Sequence, residues 1–174
     1  MAAAGFPGRP TERVEVDAFE ALRRAPLLKD FTEVGVRILA AASRQRTVGR
    51  GTYAFRSGEP AAALSIIARG SLQLLAREGG APLGELGVGE ALGGFSLLGG
   101  GEHLLSAYAA SDVELVELAL PAFRRLQQDK PQASLKLLLA LASDFAERLH
   151  DARIPLREFL LWQVSKKQAE GVGR

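Results

Sequence analysis

No cysteine occurs in the 174 residues. Disulfides, thiolate zinc sites, cysteine-ligated iron–sulfur clusters and cysteine nucleophiles are thereby excluded. Histidine is nearly as scarce. His103 and His150 are the only two, too few for a zinc or haem site built on imidazoles, so no metal and no cofactor is expected. No apolar stretch approaches the roughly 18 residues that span a bilayer; the run Leu137–Ala142 is far shorter, and no membrane contact is expected. The opening Met1-Ala2-Ala3-Ala4-Gly5-Phe6 is too short for the apolar region of a secretory signal and runs into Pro7, Arg9 and Pro10, which implies a cytoplasmic protein. Neither sign of charge dominates: 22 basic side chains stand against 20 acidic ones, weak ground for nucleic-acid or membrane binding. Catalytic strings are missing too. There is no phosphate-loop motif, nucleophile elbow or H-E-x-x-H, and neither Glu85 nor Glu90 has a histidine or nucleophile paired with it in sequence. An enzyme is not expected.

What is present suits one folded unit. Hydrophobic residues make up 47% of the chain, enough for a single sizeable core. Residues 1–15 mix Ala, Gly, Pro and charge and read as a flexible arm. Helical spacing follows from Asp17 to Arg24 and from Thr32 to Ala42, with Thr32 placed as an N-cap. From Arg44 the pattern changes to short apolar runs punctuated by Gly and Pro. Tyr53–Phe55, Leu64–Ala68, Leu72–Leu75, Leu83–Leu86, Leu104–Ala109 and Val113–Leu118 read as strands of a small barrel or sandwich. Pro121 suits the first position of a helix ending near Lys130, and Pro131 starts a longer one. In that helix Leu138, Ala142, Phe145, Leu149 and Ala152 alternate steps of four and three, the spacing of a helix-pairing seam. Leu135, Leu137, Leu139 and Leu141 add apolar surface to neighbouring faces, so the helix needs more than one partner. Pro155 predicts a kink or stop near Ala152–Ile154. The expected domain therefore spans 16–152, followed by a short helix and frayed tail over 153–174 that carries Phe159 and Trp162.

Three strings sharpen the fold: Phe55-Arg56-Ser57-Gly58-Glu59-Pro60, Ser65-Ile66-Ile67-Ala68-Arg69-Gly70, and Leu86-Gly87-Val88-Gly89-Glu90-Ala91-Leu92-Gly93. With the segment Gly93–Ser106 after them and a Pro-started helix beyond, the chain resembles the cyclic-nucleotide-binding domain family, from about Phe19 to Leu149. The resemblance implies an α+β fold: a cyclic-nucleotide-binding-like β-barrel of jelly-roll type with N-terminal helices and a long C-terminal helix. It also implies a ligand pocket at Gly93, Gly94, Phe95, Ser96, His103, Leu104 and Ser106. The family usually has a glutamate for the ribose hydroxyl where this chain has Gly94, and an arginine for the phosphate where it has His103. A charge-assisted contact contributes about 1.5–3 kcal/mol, so losing both costs on the order of 10²–10⁴-fold in affinity. Leu104 adds bulk where the family often has Ser or Ala. Binding of cAMP or cGMP in the usual way is therefore not expected.

The resulting expectation is a stand-alone, non-catalytic regulatory domain working through protein contacts. It would form a homodimer through Leu138, Ala142, Phe145 and Leu149, with Phe159 and Trp162 as a further patch for an unidentified protein partner. A second reading is a sensor of a different nucleotide or anion through the amides of Gly93–Ser96, with a protonated His103 as conditional ligand. A third is a nucleic-acid module using Arg44, Arg46, Arg50 and Arg56 interleaved with Tyr53 and Phe55. The 22 residues from Arg153 to Arg174 are too few for the helix-turn-helix reader found in bacterial transcription factors of this family, so DNA binding in that way is not expected.

Overall fold

Asp17 and Thr32 open the first two helices as the sequence predicts. The Asp17 carboxylate accepts from the Phe19 amide at 2.9 Å and the Thr32 hydroxyl from the Gly35 amide at 3.2 Å, each satisfying a donor that the first turn leaves free. In the computed structural model, which describes residues 17–148 and 150, α1 (Ala18–Arg23), a 3₁₀ turn (Pro26–Leu28) and α2 (Glu33–Ala42) precede the strands. The strands are β1 (Arg44–Val48), β2 (Tyr53–Phe55), β3 (Ala63–Arg69), β4 (Leu72–Leu75), β5 (Pro82–Leu86), β6 (Ala91–Leu92), β7 (Ser106–Ala109) and β8 (Val113–Ala119). A one-turn helix α3 (Ser96–Gly99) lies between β6 and β7, α4 (Leu120–Asp129) follows β8, and residues 131–148 form α5. The arm over 1–15, Leu149, Ala152, the expected break at Pro155, Phe159 and Trp162 lie outside the described residues.

The strands form two four-stranded antiparallel sheets, β1-β8-β3-β6 and β2-β7-β4-β5. The architecture is the expected α+β jelly roll, although its sheets face one another without closing into a barrel. Two strands escaped the sequence reading. β1, Arg-Gln-Arg-Thr-Val, has no apolar run and owes its conformation to pairing with β8, Arg44 opposite Glu117 through Val48 opposite Val113. β6 is two residues long and holds only through β3. The expected strand from Leu104 begins at Ser106.

Both faces of the first sheet are covered, which explains the nearly continuous burial along β8. Leu64, Ile66, Val116 and Leu118 pack under Leu22, Val36, Phe123 and Leu137 of the helical layer. Ile67, Val113 and Leu115 face inward onto Ala54, Leu72, Ala107 and Ala109 of the second sheet. A strand buried on both sides reads as continuous hydrophobicity rather than alternation. α5 contributes Ser134, Leu137 and Leu141 to this core, while Leu135, Leu139 and Ala142 remain exposed. The expected pairing seam is thus divided: Leu138 is half-buried against the chain's own core, and Ala142 faces outward.

Candidate functional site

The segment between β6 and β7 is set by two glycines with different constraints. Gly93 has φ +73°, and a Cβ there would lie 2.4 Å from the Ala63 carbonyl oxygen, so only glycine fits. Gly94 has ordinary torsions, but a Cβ would meet Leu141 Cδ2 of α5 at 2.7 Å. The missing side chain at Gly94 is therefore coupled to the seating of α5. Where the family carries a glutamate, this chain carries the contact surface of a leucine.

Four residues of α3 follow. The Ser96 amide donates to the Gly93 carbonyl at 3.0 Å, Leu97 to Gly94 at 3.2 Å and Leu98 to Phe95 at 3.0 Å, and the buried Ser96 hydroxyl also donates to Gly93 at 2.7 Å. The Ser96 amide and hydroxyl are thus both committed to the turn. Phe95 and Leu98 each stand 56% exposed. The Phe95 ring meets the Phe145 ring edge to face, with centroids 4.7 Å apart.

His103 belongs to different surroundings. Its ring stacks on Phe55 at 3.6 Å between centroids and 9° between planes. Its backbone is fixed in two directions, the amide donating to Glu59 at 2.9 Å and the carbonyl accepting from Gly58 at 2.8 Å. Burial lowers the imidazole pKa from its ordinary value; Glu59 pulls it up and Arg46 pushes it further down. At neutral pH the ring is uncharged, the opposite of what a phosphate ligand requires. Leu104 next to it is 87% exposed. Ser106 is buried with its hydroxyl accepting from the Ser57 amide at 3.0 Å, a structural bond between loop and strand.

The seven expected pocket residues consequently do not converge. Gly94 and Phe95 line a hollow of about 140 Å³ with Leu98, Leu141, Phe145 and Arg148. His103 lines a separate one of about 340 Å³ with Phe55, Glu59, Arg44, Arg46 and Glu117. Gly93 borders both.

The second hollow contains the feature the sequence reading missed. Glu117 on β8 is 2% exposed, an expensive place for a carboxylate unless it is fully paired. Arg44 donates to its Oε2 through Nε at 3.2 Å and Nη2 at 3.0 Å, and Arg46 Nη1 to its Oε1 at 3.0 Å. The Ser65 hydroxyl reaches Oε1 at 3.3 Å. Arg46 also donates to the Ala54 carbonyl, tying the two sheets together. The only signal in the sequence was Glu117 inside an apolar run, two and four residues' alternation away from Leu115 and Val113 on an inward face. Arg56 is likewise occupied, with Glu78 at 2.7 Å and the Tyr53 ring 4.6 Å below its guanidinium. Three of the four arginines in the expected basic stripe are thus matched by carboxylates. Among the described residues, no buried side-chain polar atom lacks a partner.

Comparison with known proteins agrees with this fold. The model of the cyclic nucleotide-binding domain matches residues 45–130. The chain belongs to the cyclic nucleotide-binding domain family. Among solved structures, the N-terminal domain of a transcriptional regulator from Streptomyces coelicolor superposes with a TM-score of 0.65 at 25% identity, covering 74% of this chain and 94% of that one. The Thermus thermophilus catabolite activator protein gives 0.66 at 30% identity, covering 76% and 62%. Among curated relatives, an uncharacterized NTE family protein of Mycobacterium tuberculosis is 27% identical over 134 residues, which is 77% of this chain and 23% of that protein. The chain spans about a quarter of the length of such relatives. Among the described residues of this family member, no helix is long and apolar enough to cross a membrane.

Proposed function

We propose that this chain is a non-catalytic regulatory domain that acts through protein contacts and does not respond to cAMP or cGMP by the family's usual pair of charged groups. One observation carries the reading. The two positions that should clasp one ligand from two sides line different hollows, Gly94 under Leu141 and a neutral His103 stacked on Phe55. A guanidinium fork on phosphate is planar, charged and bidentate, and nothing at His103 replaces it. The nearby Arg44 and Arg46 both donate to Glu117, so these guanidiniums already have an anionic partner inside the protein.

The output surface in this reading is α5, where Leu135, Leu139 and Ala142 form an exposed apolar stripe beside the buried face and pair with a second copy. The mycobacterial NTE family relatives favour the same kind of role, since there the matching stretch is a minor part of a larger chain, as a regulatory module would be. Light scattering tests the pairing: a dimer is expected for the native chain and a folded monomer for Leu139→Asp. A native monomer at high concentration would exclude it. Calorimetry against cAMP and cGMP tests the ligand half, with no saturable heat expected.

A further inference from the structure

We propose that the hollow between the 3₁₀ turn and α5 seats the α5 of a second copy running antiparallel, with Lys136 of each chain against Glu147 of the other. The inference rests on the reading that α5 pairs with a second copy, and adds the direction of the pair and the groove that receives it. The hollow measures about 350 Å³ and follows α5 from Lys136 past Leu139, Ala140 and Ser143 to Glu147. Leu27 and Phe31, each only partly buried, form its apolar wall on the side of the turn. Leu139 is 60% exposed. Single exposed apolar side chains need no explanation, but several gathered along one groove are normally a contact site.

Charge along the groove selects the occupant and its direction. Lys136 stands at one end, its ammonium donating to the Asp30 carbonyl and lying 5.1 Å from the centre of the Phe31 ring. Glu147 stands at the other, about 16 Å further along the helix. Among the described residues neither makes an ion pair. Two copies related by a two-fold axis meet through the same patch. With the helices parallel, lysine would face lysine at one end and glutamate face glutamate at the other. With the helices antiparallel, each lysine faces a glutamate. The spacing agrees. Steps of four from Lys136 to Ala140, three to Ser143 and four to Glu147 read the same from either end. Placing Lys136 opposite the partner's Glu147 therefore puts Ala140 opposite the partner's Ser143. These two small side chains put little bulk at the crossing, where helix axes normally approach to about 8–10 Å. Exposed ion pairs add little affinity, but like charges set face to face reject the wrong arrangement. The charges thus choose the direction, while Leu139, Leu27 and Phe31 supply the apolar surface that is buried.

The chain has no cysteine, so introduced thiols are the only ones present. Lys136→Cys and Glu147→Cys, both at exposed positions, are made separately in the full chain, one with a mass tag, then mixed and mildly oxidised. The expected product is a disulfide dimer containing one of each variant. Neither variant links to itself, because like positions in an antiparallel pair stand about three helical turns apart. Charge reversal reads the same contact without a covalent bond. Lys136→Glu turns two symmetric contacts repulsive and raises the dimer dissociation constant by about tenfold. Adding Glu147→Lys to the same chain restores it, while circular dichroism stays native throughout. Three outcomes overturn the proposal: disulfides that form only within each variant, no disulfide in a mixture that scatters as a dimer, or a double charge variant as weak as the single one. The parent reading fails separately. A native monomer contradicts the pairing and this seat with it, whereas a dimer whose variants link only to themselves leaves the pairing standing and overturns the direction alone.

Discussion

The two hollows either side of Gly93 solve the same problem in opposite ways. On the β1 side a cavity mouth is held by charge: one buried carboxylate, two guanidiniums and a neutral histidine stacked on Phe55. On the α5 side it is held by contact: a leucine methyl against bare backbone at Gly94, and two phenylalanine rings edge to face. In the family's usual pattern a ligand with a charged phosphate and a ribose hydroxyl would bind both halves together. In the proposed reading each half is satisfied by the protein's own groups, and the two need no common partner. The lesson is that the departures at Gly94 and His103 are parts of local packing solutions, and reversing either one alone should disturb its neighbours before it restores a ligand site.

The largest expected effect comes from the contact side. Gly94→Glu places a side chain where Leu141 already sits and should cost about 1–3 kcal/mol, the range for overpacked cores, read as a lower thermal midpoint. Combining it with Leu141→Ala should recover part of that loss, because residues in contact are non-additive. A double variant as unstable as the two single losses summed would break the coupling between the glycine and α5.

The charge side should respond less. Glu117→Gln keeps the shape but removes the anion, and Arg44 and Arg46, with 69% and 39% of their side chains exposed, can turn to water. A loss of about 1.5–2 kcal/mol is expected, at the low end of the range for hydrogen bonds to charged groups, and less than the 3–5 kcal/mol for breaking a pair whose remaining charge stays buried. Urea unfolding checks the figure. A cost above that of Gly94→Glu would invert the ranking.

The smallest effect is the pH response of His103. Burial lowers its folded-state pKa below the ordinary value of 6.5, so the unfolded chain takes up the proton first as pH falls. Its contribution to stability is complete above that value and is lost as the pH drops toward the lower folded pKa. His103→Gln should flatten the melting temperature across that window, and an unchanged slope would show that the ring carries no such linkage.

Much of the fold was legible because it is written in spacing. The helix from Asp17, the cap at Thr32, the strands Tyr53–Phe55 and Leu72–Leu75 and the Pro-started helices follow from local rules that tertiary structure did not override. β1 was not legible, because its side chains look like a solvated stretch and only pairing with β8 makes it a strand. The site was legible as a set of missing groups but not as an arrangement. Nothing in a one-dimensional pattern shows that Gly94 faces Leu141, nearly fifty residues away, or that Arg44 and Arg46 meet Glu117 across more than seventy. Contacts of that separation belong to the fold, and they are what divide the cassette in two.

The division itself can be measured. Titrating the protein with cAMP while following the Gly94 amide and the His103 imidazole by NMR reads both hollows at once. With the cassette divided, neither signal moves with saturation as the nucleotide is raised to millimolar concentration. A concerted, saturable shift of the two together would show one ligand bridging both sides and would contradict the division.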